Sequence, residues 1–144
     1  MMIATRDDQA LRWTAVAFLV AVLVHGADHL RRGTDVVTTQ VLSAGTIQFV
    51  LAVIAVGLVF RGHRLAPAAA IAVGFPSAIG FAAAHLLPEW GAFSDSFTGA
   101  DVAPGVNALS WVTAVLEIGA DLAFGAAGVV VLRARGLAHL ATPG

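Results

Sequence analysis

Cysteine does not occur in this 144-residue chain, and neither do tyrosine and lysine. Without cysteine the chain has no disulfide, no iron–sulfur cluster, no thiolate metal ligand and no cysteine nucleophile. Charged residues make up only 12% of the sequence, whereas soluble domains carry about 25%. The net charge of −1 also gives no sign of the basic surface that nucleic-acid binding requires, so no nucleic acid is expected as a partner.

Apolar residues make up 58% of the chain and concentrate in four long segments. A helix needs about 20 largely apolar residues to cross the hydrocarbon core of a bilayer. The pattern predicts an all-α, integral membrane four-helix bundle that forms one domain over residues 1–144. The expected helices span residues 13–32, 38–60, 67–87 and 107–132, with a long connection over residues 88–105.

The placement of the arginines predicts the orientation of this bundle. Six of the eight fall on the side of the two termini, and Arg31 and Arg32 fall on the other. Because basic residues accumulate on the cytoplasmic side, both termini are expected in the cytoplasm and residues 88–105 outside. Arg31 and Arg32 depart from the rule, so we expect them to reach the interface or to balance Asp28 and Asp35. The use of arginine without any lysine is typical of a GC-rich bacterial genome, so we expect the protein in a bacterial inner membrane.

The first apolar segment ends too early to cross a bilayer by itself. It runs from Trp13 to Val24, well short of about 20 residues. Completing the helix brings His25, Asp28 and His29 into the membrane, where an ionised aspartate costs at least about 2.5 kcal/mol. The three residues are spaced i, i+3 and i+4, so they share one helix face. The spacing therefore predicts a polar site on the first helix.

Polar residues on the other helices fall at matching depths. With a rise of about 1.5 Å per residue, His25, Gln48 and Glu117 lie at one level, roughly 12–15 Å below the outer boundary. Imidazole and carboxylate groups without sulfur suit Zn²⁺, Fe, Mn²⁺ or Cu²⁺. The sequence therefore predicts a divalent-metal site whose candidate ligands are His25, Asp28, His29, His85, Glu117 and Asp121, with Gln48 as a supporting group. These are more ligands than one ion needs, so some of them are expected to orient the others.

Several functions are compatible with such a site. One is a metal-dependent membrane enzyme that opens to the outer leaflet, with membrane lipid as its surroundings. Another is a non-enzymatic accessory subunit of a larger membrane complex, or a homo-oligomer, in which the polar residues only fix the helix register. A third is a b-type haem bundle with His29 and His85 as axial ligands. The apolar inner halves of the helices argue against an ion carrier, and His63 and His139 are expected to have no role.

Two further features concern packing. Small residues recur every four positions from Ala68 to Ala84 and from Gly119 to Ala127, which predicts close helix contacts there. The 88–105 connection is longer than a simple link needs. It is expected either to lie on lipid headgroups or to form a lid over the polar layer, with Glu89 or Asp95 reaching in.

Overall fold

The computed structural model describes residues 6–141, with the backbone alone for residue 34 and residues 138–141. Within that range the chain forms four α-helices, α1 (Arg6–Arg32), α2 (Thr39–Phe60), α3 (Ala66–Leu86) and α4 (Ala108–Ala141), and one short 3₁₀ turn at Thr34–Val36. All four helices are long and apolar enough to cross a membrane. The all-α prediction is confirmed, and the pattern is that of a multi-pass membrane protein.

Two helix ends differ from the prediction. α1 begins at Arg6 and not at residue 13, because Asp7 and Asp8 are favourable in a first turn and the next residues, Gln9 to Arg12, are good helix formers. α4 continues past residue 132 to Ala141, because no proline interrupts it before residue 143. Gly33 ends α1 as expected, with a φ of 95° that favours glycine.

The helices alternate in direction, so the start of α1 and the last turns of α4 lie at the same end of the bundle, where Asp8 pairs with Arg135. Neighbouring pairs are α1 with α2, α2 with α3, α3 with α4, and α4 with α1. α1 and α3 therefore face each other across the diagonal. We call the end with residues 33–38 and 87–107 the loop end, and the opposite end, where α1 begins and α4 finishes, the terminal end.

α1, α3 and α4 form the compact part of the bundle. α3 and α4 approach so closely that a Cβ added at Gly74 would lie 2.5 Å from the backbone oxygen of Asp121. On the other side of α4, Phe124 stacks on Phe18 of α1, with ring centroids 4.8 Å apart. These contacts fix the two helices that carry the histidines, α1 and α3, against a common partner.

α2 packs against this unit with its terminal-end half. Its buried residues are Ala52, Ala55, Val56 and Val59, all beyond the midpoint of the helix. Its loop-end half is separated from α1 and α3, and a cavity lies on each side of it. The α2–α3 cleft has a volume of about 510 Å³, and the α1–α2 cleft has a volume of about 420 Å³.

The small residues of α3 do not all serve the packing that their spacing predicts. Ala72, Pro76, Gly80 and Ala84 line the α2–α3 cleft. The buried face of α3 instead carries Ala66, Ala70, Gly74 and Ala78. Small residues occupy both faces of this helix, so a period of four residues did not tell which face meets a neighbour.

Candidate metal centre

Three histidines meet inside the loop-end half of the bundle. His25 and His29 lie one turn apart on α1, and His85 lies in the last turn of α3. One ring nitrogen from each lies within 4.8 Å of the others. His25 and His85 are each only 2% exposed, and His29 is half-buried. We call these three residues the histidine cluster.

The spacing within the histidine cluster fits coordination of one ion. The Nε2 atoms of His25 and His29 are 3.1 Å apart. Two nitrogens bound to the same tetrahedral zinc at about 2.0–2.1 Å are separated by roughly 3.3 Å. The nitrogens of His25 and His29 therefore need only small shifts to bind one ion, and the His85 nitrogen, which lies within 4.8 Å of the others, must move closer to them.

Hydrogen bonds fix the tautomers of two of the histidines. Nδ1 of His85 lies 3.0 Å from the backbone oxygen of Asp95, which can only accept, so this nitrogen donates. The Thr113 hydroxyl lies 3.0 Å from the backbone oxygen of Ser110 and 3.3 Å from Nδ1 of His25, and when its proton goes to the Ser110 oxygen it accepts from that nitrogen. In both histidines Nε2 then keeps its lone pair. This is the form in which imidazole binds a metal.

Asp95 brings the 88–105 connection into the site. Its side chain is buried, and one carboxylate oxygen lies 3.5 Å from Nδ1 of His85 and 3.8 Å from Nδ1 of His29. Arg32 donates to both carboxylate oxygens, at 2.6 and 2.7 Å. A carboxylate behind a histidine orients the ring and makes it a better ligand. Asp95 therefore reaches in as the lid interpretation expected, whereas Glu89 stays exposed.

The neighbouring loop residues close the loop end above the histidines. Residues 94–97 are all buried, and the Phe97 ring lies 4.6 Å from that of His85. The guanidinium of Arg32 lies 5.5 Å from the centre of the same Phe97 ring. The histidine cluster is thus covered by a fixed segment.

Asp28 lies beside the histidine cluster in an ion pair of its own. Its Oδ1 accepts from Nε of Arg31 at 2.8 Å. Arg31 also donates to the Ser110 hydroxyl and to the backbone oxygen of Gly105. Arg31 therefore balances Asp28 as the sequence predicts, whereas Arg32 pairs with Asp95 and not with Asp35.

Glu117 and Asp121 are fully buried on α4. Glu117 accepts a hydrogen bond from Nε2 of Gln48 at 3.3 Å, which joins α2 to α4 at the common level that helix rise predicts. Neither oxygen of Asp121 has a hydrogen-bond partner among residues 6–141. Both carboxyl groups face the bundle interior, but the group of mutually close metal-ligating atoms in the described part of the chain consists of the three histidines.

The packing of the rings leaves no room for a haem between His29 and His85. Their ring centroids are 5.7 Å apart, and the ring of His25 lies within 4.9 Å of both. Bis-histidine ligation places the macrocycle between the two axial rings. The His25 ring lies directly beside the gap between them, where the macrocycle would have to extend.

Comparisons of this chain with protein-family models, with curated proteins and with solved structures found no match. What the histidine cluster does is therefore inferred from its own chemistry.

Proposed function

We propose that this protein is a metal-dependent membrane enzyme with one divalent transition-metal ion bound by His25, His29 and His85. The observation that carries the proposal is the convergence of three ring nitrogens within 4.8 Å, with Nδ1 of two rings engaged elsewhere. Three neutral imidazoles leave a fourth position open on a tetrahedral ion, as in catalytic zinc sites. Zn²⁺ is the first choice, and Fe, Mn²⁺ and Cu²⁺ accept the same donors.

The surrounding groups have supporting roles in this proposal. Asp95 and Thr113 hold the histidine rings in the ligating tautomer. Glu117 and Asp121 follow Thr113 at successive i+4 positions on one face of α4 and provide carboxyl groups that take up or release a proton. An ion held by His25, His29 and His85 would polarise a carbonyl group or activate water at its open position.

The proposed setting is the bacterial inner membrane, with the terminal end in the cytoplasm and the loop end outside. The six-to-two distribution of arginines supports this orientation. The two exceptions, Arg31 and Arg32, are each paired with an aspartate, Asp28 and Asp95. They remain two exceptions against six arginines at the terminal end, so the asymmetry still favours this orientation.

The metal content of the purified protein tests the proposed function. We expect elemental mass spectrometry to find about one zinc ion, or one other first-row divalent metal ion, per chain. His25→Ala, His29→Ala and His85→Ala each remove a ligand and should bring the metal content close to zero. His63→Ala is the matched control, because His63 is exposed at the terminal end.

Two outcomes would contradict the proposed function. One is a well-folded preparation, purified without chelator, that contains no stoichiometric metal and binds none on titration. The other is a metal content that falls equally in the three variants and in the His63→Ala control. Either result favours the accessory subunit, in which the polar residues serve only to fix the helix register.

A further inference from the structure

The histidine cluster lines one cavity, and Asp95, which contacts two of its histidines, lines a second cavity of opposite character. On its membrane side, His29 and His85 line the α2–α3 cleft, whose other walls are mostly apolar or small side chains. On its loop side, a separate cavity of about 450 Å³ has Asp95 in its wall. That cavity also carries Glu89, Ser94 and Asp101. We call it the polar pocket.

The α2–α3 cleft opens between two membrane-spanning helices and not toward water. It lies beside the loop-end half and the middle of α2, where Ile47, Val50 and Leu51 are 62%, 50% and 46% exposed. In a bilayer this half of α2 is surrounded by acyl chains, because it lies within the span. An acyl chain can therefore enter the cleft sideways without crossing an aqueous layer.

The lining of the cleft suits a flexible chain. The α3 wall is built from Ala72, Pro76 and Gly80, and the α2 wall includes Ala44 and Gly45. Nothing lies within 4 Å of where a Cβ would stand at Gly45 or Gly80, so both glycines face open space. Small side chains on both walls leave a slot, and the slot reaches His29 and His85.

The polar pocket provides a separate route for water. Ser94 lines it with a buried hydroxyl that has no hydrogen-bond partner among the described residues. Buried polar groups of this kind are commonly satisfied by ordered water. Asp95 belongs to the wall of this pocket and also contacts His29 and His85. Water in the polar pocket can thus reach Asp95, whose carboxylate contacts both histidines.

From these two routes we infer that the substrate is a long-chain acyl ester or amide, with its chain in the α2–α3 cleft and its carbonyl group at the histidine cluster. The inference rests on the proposed metal centre. The reaction is hydrolysis: the oxygen of water bonds to the carbonyl carbon, and the bond from that carbon to the alcohol oxygen or amine nitrogen breaks. One proton of the water passes to the leaving group, the acid product is released, and no oxidant or reductant is needed.

The test compares two probe esters in phosphatidylcholine nanodiscs that contain the zinc-loaded protein. The esters are 4-methylumbelliferyl palmitate and 4-methylumbelliferyl acetate, and the released fluorophore is measured for both. We expect faster hydrolysis of the palmitate ester. Gly80→Leu fills the cleft, so the ratio of the palmitate rate to the acetate rate should fall about tenfold.

Matched variants separate the cleft from general effects of a larger side chain. Gly45→Leu fills the same cleft from α2, although Gly45 also lines the α1–α2 cleft, and should act like Gly80→Leu. Gly119→Leu is the control, because Gly119 also faces open space but lies outside the lining of both clefts. It should leave the ratio unchanged. Binding of palmitoyl hydroxamate, a chelating acyl probe that is not turned over, should weaken about tenfold in the two cleft variants and not in the control.

The outcomes distinguish this inference from the proposed function. If zinc is bound but neither ester is hydrolysed and palmitoyl hydroxamate does not bind, the substrate class is wrong and the metal centre stands. If both cleft variants retain zinc and the wild-type ratio, the chain does not occupy the cleft. If no zinc is bound at all, the metal analysis has already contradicted the proposed function.

Discussion

At the scale of single residues, Asp95 links the loop, α1 and α3. It receives two hydrogen bonds from Arg32, its backbone oxygen holds His85, and its carboxylate faces His29. Both charged side chains of the pair are buried. Removing one member of such a pair leaves the other without compensation, which costs about 3–5 kcal/mol.

We therefore expect Asp95→Asn to have two effects. The free energy of unfolding should fall by about 3–5 kcal/mol, because the Arg32 charge loses its counter-charge. Metal affinity should fall about 10–100-fold, because His29 and His85 lose the carboxylate behind them. Denaturation in detergent and competition with a metal-sensitive dye measure the two quantities.

Asp35→Asn is the control for this variant, since Asp35 is exposed near the same end of the bundle. It should change neither quantity. If Asp95→Asn lowered stability but left metal affinity at the wild-type value, Asp95 would only brace the loop and would not position the histidines.

The histidine cluster could be predicted in part from the sequence. His25 and His29 followed from their spacing and from the short apolar run before them, and the meeting of Gln48 and Glu117 followed from helix rise. The helix rise per residue gives only the depth of a residue along the bundle, so it could not show that His85 reaches across the diagonal to α1. The partner of Arg32 could not be chosen either, because Asp95 lies in a connection without periodicity.

At the scale of helices, glycine sets the distance between α3 and α4. A Cβ at Gly74 would meet the backbone oxygen of Asp121 at 2.5 Å and the backbone nitrogen of Gly125 at 2.7 Å. Backbone atoms cannot move aside as a flexible side chain does. Only glycine at this position therefore permits the close contact between α3 and α4. That contact places α4 where Thr113 reaches His25.

Two substitutions on α3 test this interpretation. Gly74→Ala should lower the free energy of unfolding by about 1–3 kcal/mol, because the helices must separate. Gly80→Ala makes the same chemical change where nothing lies within 4 Å, and it should be neutral or stabilise by up to about 1 kcal/mol. Thermal unfolding in one detergent compares them. Equal effects of the two substitutions would refute the close approach.

The helices themselves were the most predictable part of the fold, because long apolar runs have few other structures available in a membrane. The sequence did not show as clearly which face of each helix packs against a neighbouring helix. Ala72, Pro76 and Gly80 have the spacing of a packing stripe, yet they line the α2–α3 cleft. Alanine and glycine fit either role, so only the arrangement of the neighbouring helices decides between them.

At the scale of the whole molecule, the orientation in the membrane is the property to test first. Reporter fusions after Gly62, Gly99 and Gly144 should give cytoplasmic, external and cytoplasmic signals, because six arginines mark the terminal end. An external signal from the Gly62 or Gly144 fusion would reverse the proposed orientation. The polar pocket would then open to the cytoplasm.

α4 packs against both helices that carry the histidines, and it is the last helix to be synthesised. Synthesis proceeds from the N-terminus, so His25, His29 and His85 all leave the ribosome before α4. The most extensive helix contacts, those of α4 with α3 and α1, can form only when the last helix arrives. Thr113, which orients His25, arrives with it. A chain that stops short of α4 thus carries all three histidines but lacks the contacts that order them. Under the proposed function, capture of the ion would therefore be a late step that follows completion of the bundle.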